Sequence, residues 1–114
     1  MNNKKLYNEI YKFLSQELML PTNYRGFIQL VDVVQVICNE PSTSIGKAYE
    51  VVGKKYKVCS TCVSNNIGKV INIANATMEP ELKKKYFGPS KITNGYIMPV
   101  AFMNEVVMHI RCKM

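Results

Sequence analysis

The stretch Ile45-Gly46-Lys47-Ala48-Tyr49-Glu50-Val51-Val52-Gly53-Lys54-Lys55-Tyr56-Lys57-Val58-Cys59-Ser60-Thr61-Cys62-Val63-Ser64-Asn65-Asn66-Ile67-Gly68-Lys69-Val70-Ile71-Asn72-Ile73-Ala74 decides how this chain is read. Ile45, Ala48, Tyr49, Val52 and Tyr56 recur at helical spacing and predict a helix from about Ser44 to Tyr56. After Lys57 comes a short break, then a polar N-cap signal at Ser60 or Thr61. Val63, Ile67, Val70, Ile71 and Ala74 form the buried stripe of a second helix. Its opposite face shows Cys62, Ser64, Asn65, Gly68, Lys69 and Asn72. Two amphipathic helices joined by a tight turn outline a helix-turn-helix over about residues 44–75. A plain helical hairpin with a solvated polar face has the same outline.

Outward from that pair, the pattern stays helical. Leu6, Ile10, Phe13, Leu14 and Leu18 share one face of a first helix. Pro21-Thr22-Asn23 ends it and can cap a second, with Phe27, Leu30, Val31, Val34, Ile37 and Cys38 on one side. Glu79-Pro80 opens a short fifth helix and Gly88-Pro89 closes it. The last helix is expected from Thr93 or Asn94, carrying Ile97, Val100, Ala101, Val107 and Met108, with Pro99 in its first turn or kinking it. No strict alternation runs between turn signals, so the expected fold class is all-α: one compact six-helix domain without a sheet.

Composition narrows the function. A chain of 114 residues and 13.0 kDa is one domain, and 47% hydrophobic residues with 20% charged are globular values. Fifteen Lys and Arg against eight Asp and Glu give +7 and a pI near 9.3, which suits phosphate-rich partners. All but Arg25 and Arg111 are lysines, better at neutralising a backbone than at reading bases. The longest apolar run, Phe27 to Cys38, contains Gln29, Asp32 and Gln35, so no membrane partner is expected. Cysteines without an apolar leader predict reduced thiols and a cytoplasmic chain. A single histidine, His109, leaves no Cys–His or Ser–His–Asp set, so no enzyme and no cofactor are expected.

The candidate DNA-reading face is Thr61, Cys62, Ser64, Asn65 and Lys69, with Lys54, Lys55, Lys57 and Lys91 as phosphate contacts. Asn can pair with adenine through its acceptor and donor together. Lysines just before the turn would fix the docking register. Double-stranded DNA is therefore the expected partner.

The chain also resembles a known family. Ala48-Tyr49-Glu50-Val51-Val52-Gly53-Lys54-Lys55-Tyr56, continued by Val63, Ile67, Ile71 and Ala74, is similar to the C-terminal effector domain of the stage-zero sporulation protein A response-regulator family. Leu20-Pro21 with Tyr24-Arg25-Gly26-Phe27 resembles that domain's first turn, and Lys91-Ile92-Thr93-Asn94 the start of its last helix. The similarity covers roughly residues 7 to 110. It implies a six-helix domain that binds DNA as tandem copies or a homodimer and touches an RNA polymerase sigma factor. Where the family's reading helix carries Arg and then Glu-Arg, this chain has Cys62, Ser64 and Asn65; Gly68 replaces a basic residue and Lys69 a His. Each bidentate Arg–guanine pair is worth about 1–3 kcal/mol, so the family's usual DNA box is not the expected target. Gly68 also costs about 1 kcal/mol of helix stability. Nothing resembles the family's receiver domain, which implies a stand-alone effector or a piece of a longer chain. The arginine-poor helix leaves a second expectation open: a protein-interaction module of the same fold that modulates a full-length regulator or a sigma factor.

Cys59-Ser60-Thr61-Cys62 and His109-Ile110-Arg111-Cys112 contain enough soft ligands for zinc, yet neither matches a two-knuckle spacing and no metal is expected. A redox pair is also disfavoured, although a helix dipole at Cys62 would lower its pKa. Cys38 reads as core. Met98, Met103, Met108 and Met114 read as core or as an interaction stripe. Glu81-Leu82-Lys83-Lys84-Lys85 reads as a solvated face, or, as its position in the resembled family allows, a polymerase-facing or phosphate-facing patch. The scattered tyrosines read as core and boundary residues.

Overall fold

The computed structural model describes residues 2–113. Among them are six α-helices: α1 (Asn3–Lys12), α2 (Arg25–Asn39), α3 (Ile45–Tyr56), α4 (Ser60–Thr77), α5 (Pro80–Phe87) and α6 (Pro99–Lys113). The Asn2 side chain caps α1 by accepting from the Lys5 amide at 2.8 Å. The helix then widens into a π turn over Phe13–Glu17, which sets Leu18 five residues after Phe13 with both buried.

Helix α2 is the axis of the domain, packed by α1, α3, α4 and α6. That explains a Val/Ile-rich sequence of modest helix propensity, because burial all round holds it rather than the backbone alone. Burial extends past the expected stripe to Val33, Gln29 and Asp32. The cap expected from Pro21-Thr22-Asn23 does not form: Tyr24 stands at the N-cap with no side-chain hydrogen bond. Close packing sets this start, because a Cβ on Gly26 would lie 2.0 Å from the Asn66 carbonyl oxygen of α4.

Ser44 caps α3, accepting from the Lys47 amide at 3.1 Å. The helix ends with Lys57 in the left-handed region (φ 59°) and the Val58 amide bonded back to the Gly53 carbonyl at 2.9 Å. Gly53 is needed there, since a Cβ would meet the Val58 oxygen at 2.6 Å. Lys57 to Cys59 thus make the turn into α4. Cys59, not Ser60 or Thr61, is the N-cap, because the reversal ends sooner than the polar residues suggest.

The C-terminal third departs most from expectation. Ile92–Thr93 and Tyr96–Ile97 pair as a two-stranded antiparallel hairpin, β1 and β2, rather than starting the last helix. Asn94 and Gly95 both take positive φ (53° and 80°), the backbone of a two-residue hairpin turn. Asn75 of α4 pins the hairpin: its Nδ2 donates to the Ile97 carbonyl (3.0 Å) and its Oδ1 accepts from the Ile97 amide (2.8 Å). Lys83 is buried and donates to the Asn75 and Gly95 carbonyls at 2.7 and 2.6 Å, so it is a structural clasp, not part of a basic patch. Pro99 opens α6. Phe102, Met103, Val106, Val107 and Ile110 face the core, while Val100 and Met108 point out, 56% and 59% exposed. The methionines divide: Met103 is core, Met98 and Met108 are outside, and Met114 lies outside the described residues. Cys38 is buried, and Tyr7, Tyr11, Tyr24, Tyr49, Tyr56 and Tyr86 pack at the core boundary.

Candidate nucleic-acid interface

The buried stripe of α4 is Val63, Ile67, Val70, Ile71 and Ala74, packed on α2 and α3. Its outward side forms an open groove of about 620 Å³ lined by Ser64, Asn65, Gly68, Lys69, Asn72 and, at one end, Pro99. Ser64, Asn65 and Lys69 therefore share one surface. Thr61 and Cys62 are exposed on the first turn of α4, at the end of that surface. Asn66, two residues from Ser64 but on the inner side, instead donates to Gln29 Oε1 at 3.1 Å. Lys69 stands over the Tyr24 ring, 5.3 Å from its centroid, which holds the ammonium near the groove while leaving it wet.

The lysine candidates are not equivalent. Lys54 and Lys57 are exposed and make no ion pair among the described residues. Lys55 is turned to Asp32, Nζ to Oδ1 at 3.0 Å, and the Tyr56 hydroxyl donates to the other carboxylate oxygen. Asp32 is only 5% exposed at its side chain, so Lys55 neutralises a carboxylate of α2 before any phosphate. Lys91 lies apart, 3.9 Å from Glu105 of α6.

Arg25 escaped the sequence reading as a contact. It lines a hollow of about 220 Å³ with Tyr24, Gly26, Asn66 and Lys69. The sequence signal for it is a basic residue before a glycine at a helix start, Arg25-Gly26.

The cysteine pair differs from expectation in polarity. Cys59 Sγ accepts from the Cys62 amide (3.4 Å), and the two sulfurs are 3.0 Å apart. The contact between the two thiols pulls Cys59 below the usual thiol pKa and pushes Cys62 above it, the reverse of a dipole acting on Cys62. His109 is engaged elsewhere, stacked on Phe13 at 5.3 Å with Nε2 3.2 Å from the Tyr86 carbonyl. Among the described residues no three His, Cys, Asp or Glu side chains gather as a metal site, and no helix is long and apolar enough to cross a membrane. No family model and no curated protein sequence matches this chain.

Proposed function

We propose that this chain is a DNA-binding transcriptional regulator in which α3 and α4 act as a helix-turn-helix and the outward face of α4 enters the major groove. The alignment of Ser64, Asn65, Lys69 and Asn72 along one open groove, in a chain of net charge +7, carries the reading. Asn65 is the side chain suited to an adenine edge, while Ser64 and Lys69 accept several bases. Thr61 and Cys62 approach from the first turn. Lys54 near the end of α3, Lys57 in the turn and Arg25 at the start of α2 hold phosphates and fix the register. The resemblance to sporulation effector domains supports the same docking, with copies side by side on tandem sites and a sigma factor as a protein partner.

The test is selection of bound duplexes from a randomised library at about 150 mM salt, where weak surface attraction is screened. An enriched motif is expected, and Asn65→Ala with Lys69→Ala should weaken binding to it about 10- to 100-fold. An unenriched library, or an affinity indifferent to that double substitution, would sink the reading. One observation favours a second role as a protein-docking module: Met98 and Val100, 60% and 56% exposed, flank Pro99 at the end of the groove. Salt separates the two, because DNA binding weakens steeply with added salt and apolar docking barely responds.

A further inference from the structure

The Cys59-Ser60-Thr61-Cys62 segment has no task in DNA reading that requires two thiols. Both cysteines are exposed, at the head of an 18-residue helix, with Sγ atoms 3.0 Å apart. Two thiolates on one tetrahedral zinc, with Zn–S near 2.3 Å, stand about 3.8 Å apart, so this spacing is too short for a shared metal. It is close to the approach a thiolate makes before bonding to sulfur. The backbone holds the geometry from both sides: Lys57 and Gly53 close the preceding turn, and the Cys62 amide bonds to Cys59 Sγ. Cys38 is buried and Cys112 sits at the far end of the chain.

We infer that Cys59 and Cys62 form a reversible dithiol–disulfide couple that exchanges with a low-molecular-weight disulfide such as oxidised glutathione. Cys59, whose sulfur accepts the Cys62 amide and lies against the Cys62 sulfur, is in its thiolate form the attacking group. It displaces one thiolate from the small disulfide and leaves a mixed disulfide on Cys59. Cys62 then loses its proton to solvent and attacks the Cys59 sulfur, expelling the second small thiol. Two protein thiols are oxidised by two electrons while one small disulfide becomes two thiols. The couple does not depend on DNA binding.

The test equilibrates the folded chain in buffers of graded reduced-to-oxidised glutathione ratio, followed by acid quench, alkylation and tryptic mass analysis. The tryptic peptide of residues 58–69 contains Cys59 and Cys62 and no other cysteine. It should appear two hydrogens lighter across one two-electron transition, unchanged by Cys112→Ser. In Cys62→Ser the mixed disulfide should persist on Cys59, and near neutral pH Cys59 should alkylate faster than Cys62. Two alkylated thiols at the oxidising end, bonds between chains, or a wild-type chain that stops at the mixed disulfide each overturn the inference. Equal or reversed alkylation rates overturn the assignment of Cys59 as the attacking sulfur.

Discussion

Replacing Gly26 by alanine tests the packing that positions α4. Helix propensity alone favours the change by up to about 1 kcal/mol. The tertiary structure opposes it, since the new Cβ would sit 2.0 Å from the Asn66 oxygen, 2.5 Å from the Asn66 carbonyl carbon and 3.0 Å from a Val70 methyl. Two of these atoms belong to the backbone of α4 and cannot rotate away. Overpacking costs about 1–3 kcal/mol, and a backbone obstacle puts this site at the upper end. Subtracting the propensity gain leaves a net loss of about 2 kcal/mol. In a domain this size that is a fall of roughly 8 °C in Tm. Gly68→Ala is the matched control: it lies mid-helix in α4 with nothing within 4 Å of the new Cβ, and should gain up to about 1 kcal/mol, or roughly 4 °C. Thermal unfolding followed by helical circular dichroism reads both. A Gly26→Ala chain as stable as the parent, with Gly68→Ala stabilised, would refute the close approach of α2 to α4.

Asn75→Ala should cost about 1–3 kcal/mol by stranding the Ile97 amide, and should selectively accelerate hydrogen exchange at that amide. On the proposed DNA-binding reading, Lys57→Ala should lower the salt dependence of DNA affinity by about one counterion without altering Tm, and Arg25→Ala should do the same. Lys55→Ala should instead cost about 1 kcal/mol of stability through Asp32 and change the salt slope less, as a salt titration beside a denaturant curve would show. Burial lifts the Cys38 thiol from 9.0 to about 11, and burial, then the hydrogen bond to Asp32, lifts the Tyr56 phenol above its usual 10.0. The unfolded chain gives up these protons first, so stability complete below about pH 9 should fall as pH rises past it. Denaturant midpoints across that range should show the fall, and Cys38→Ala should remove its onset between about pH 9 and 10, before the Tyr56 phenol of the unfolded chain begins to titrate.

Period and punctuation in the sequence determine most of the helices. The stripes of α1, α3 and α4 recur at helical spacing, Ser44 caps α3, and Pro80 and Gly88 bracket α5, so local chemistry alone locates them. The candidate reading face follows equally, because whatever opposes Val63, Ile67 and Val70 on a helix must point outward. The hairpin was also written in Asn94-Gly95, but strands of two residues carry too little alternation to outweigh a helical pattern. Tertiary structure decided the rest, since it depends on atoms far apart in the chain. Whether Lys55 or Lys57 is free for a phosphate turns on Asp32 in another helix. Lys83 is a clasp rather than a surface charge because the carbonyls of Asn75 and Gly95 converge on it. The start of α2 is set by the backbone of α4, forty residues on, rather than by any local cap. Periodicity reports which side of a helix is buried; only packing determines what each exposed or buried polar group meets there.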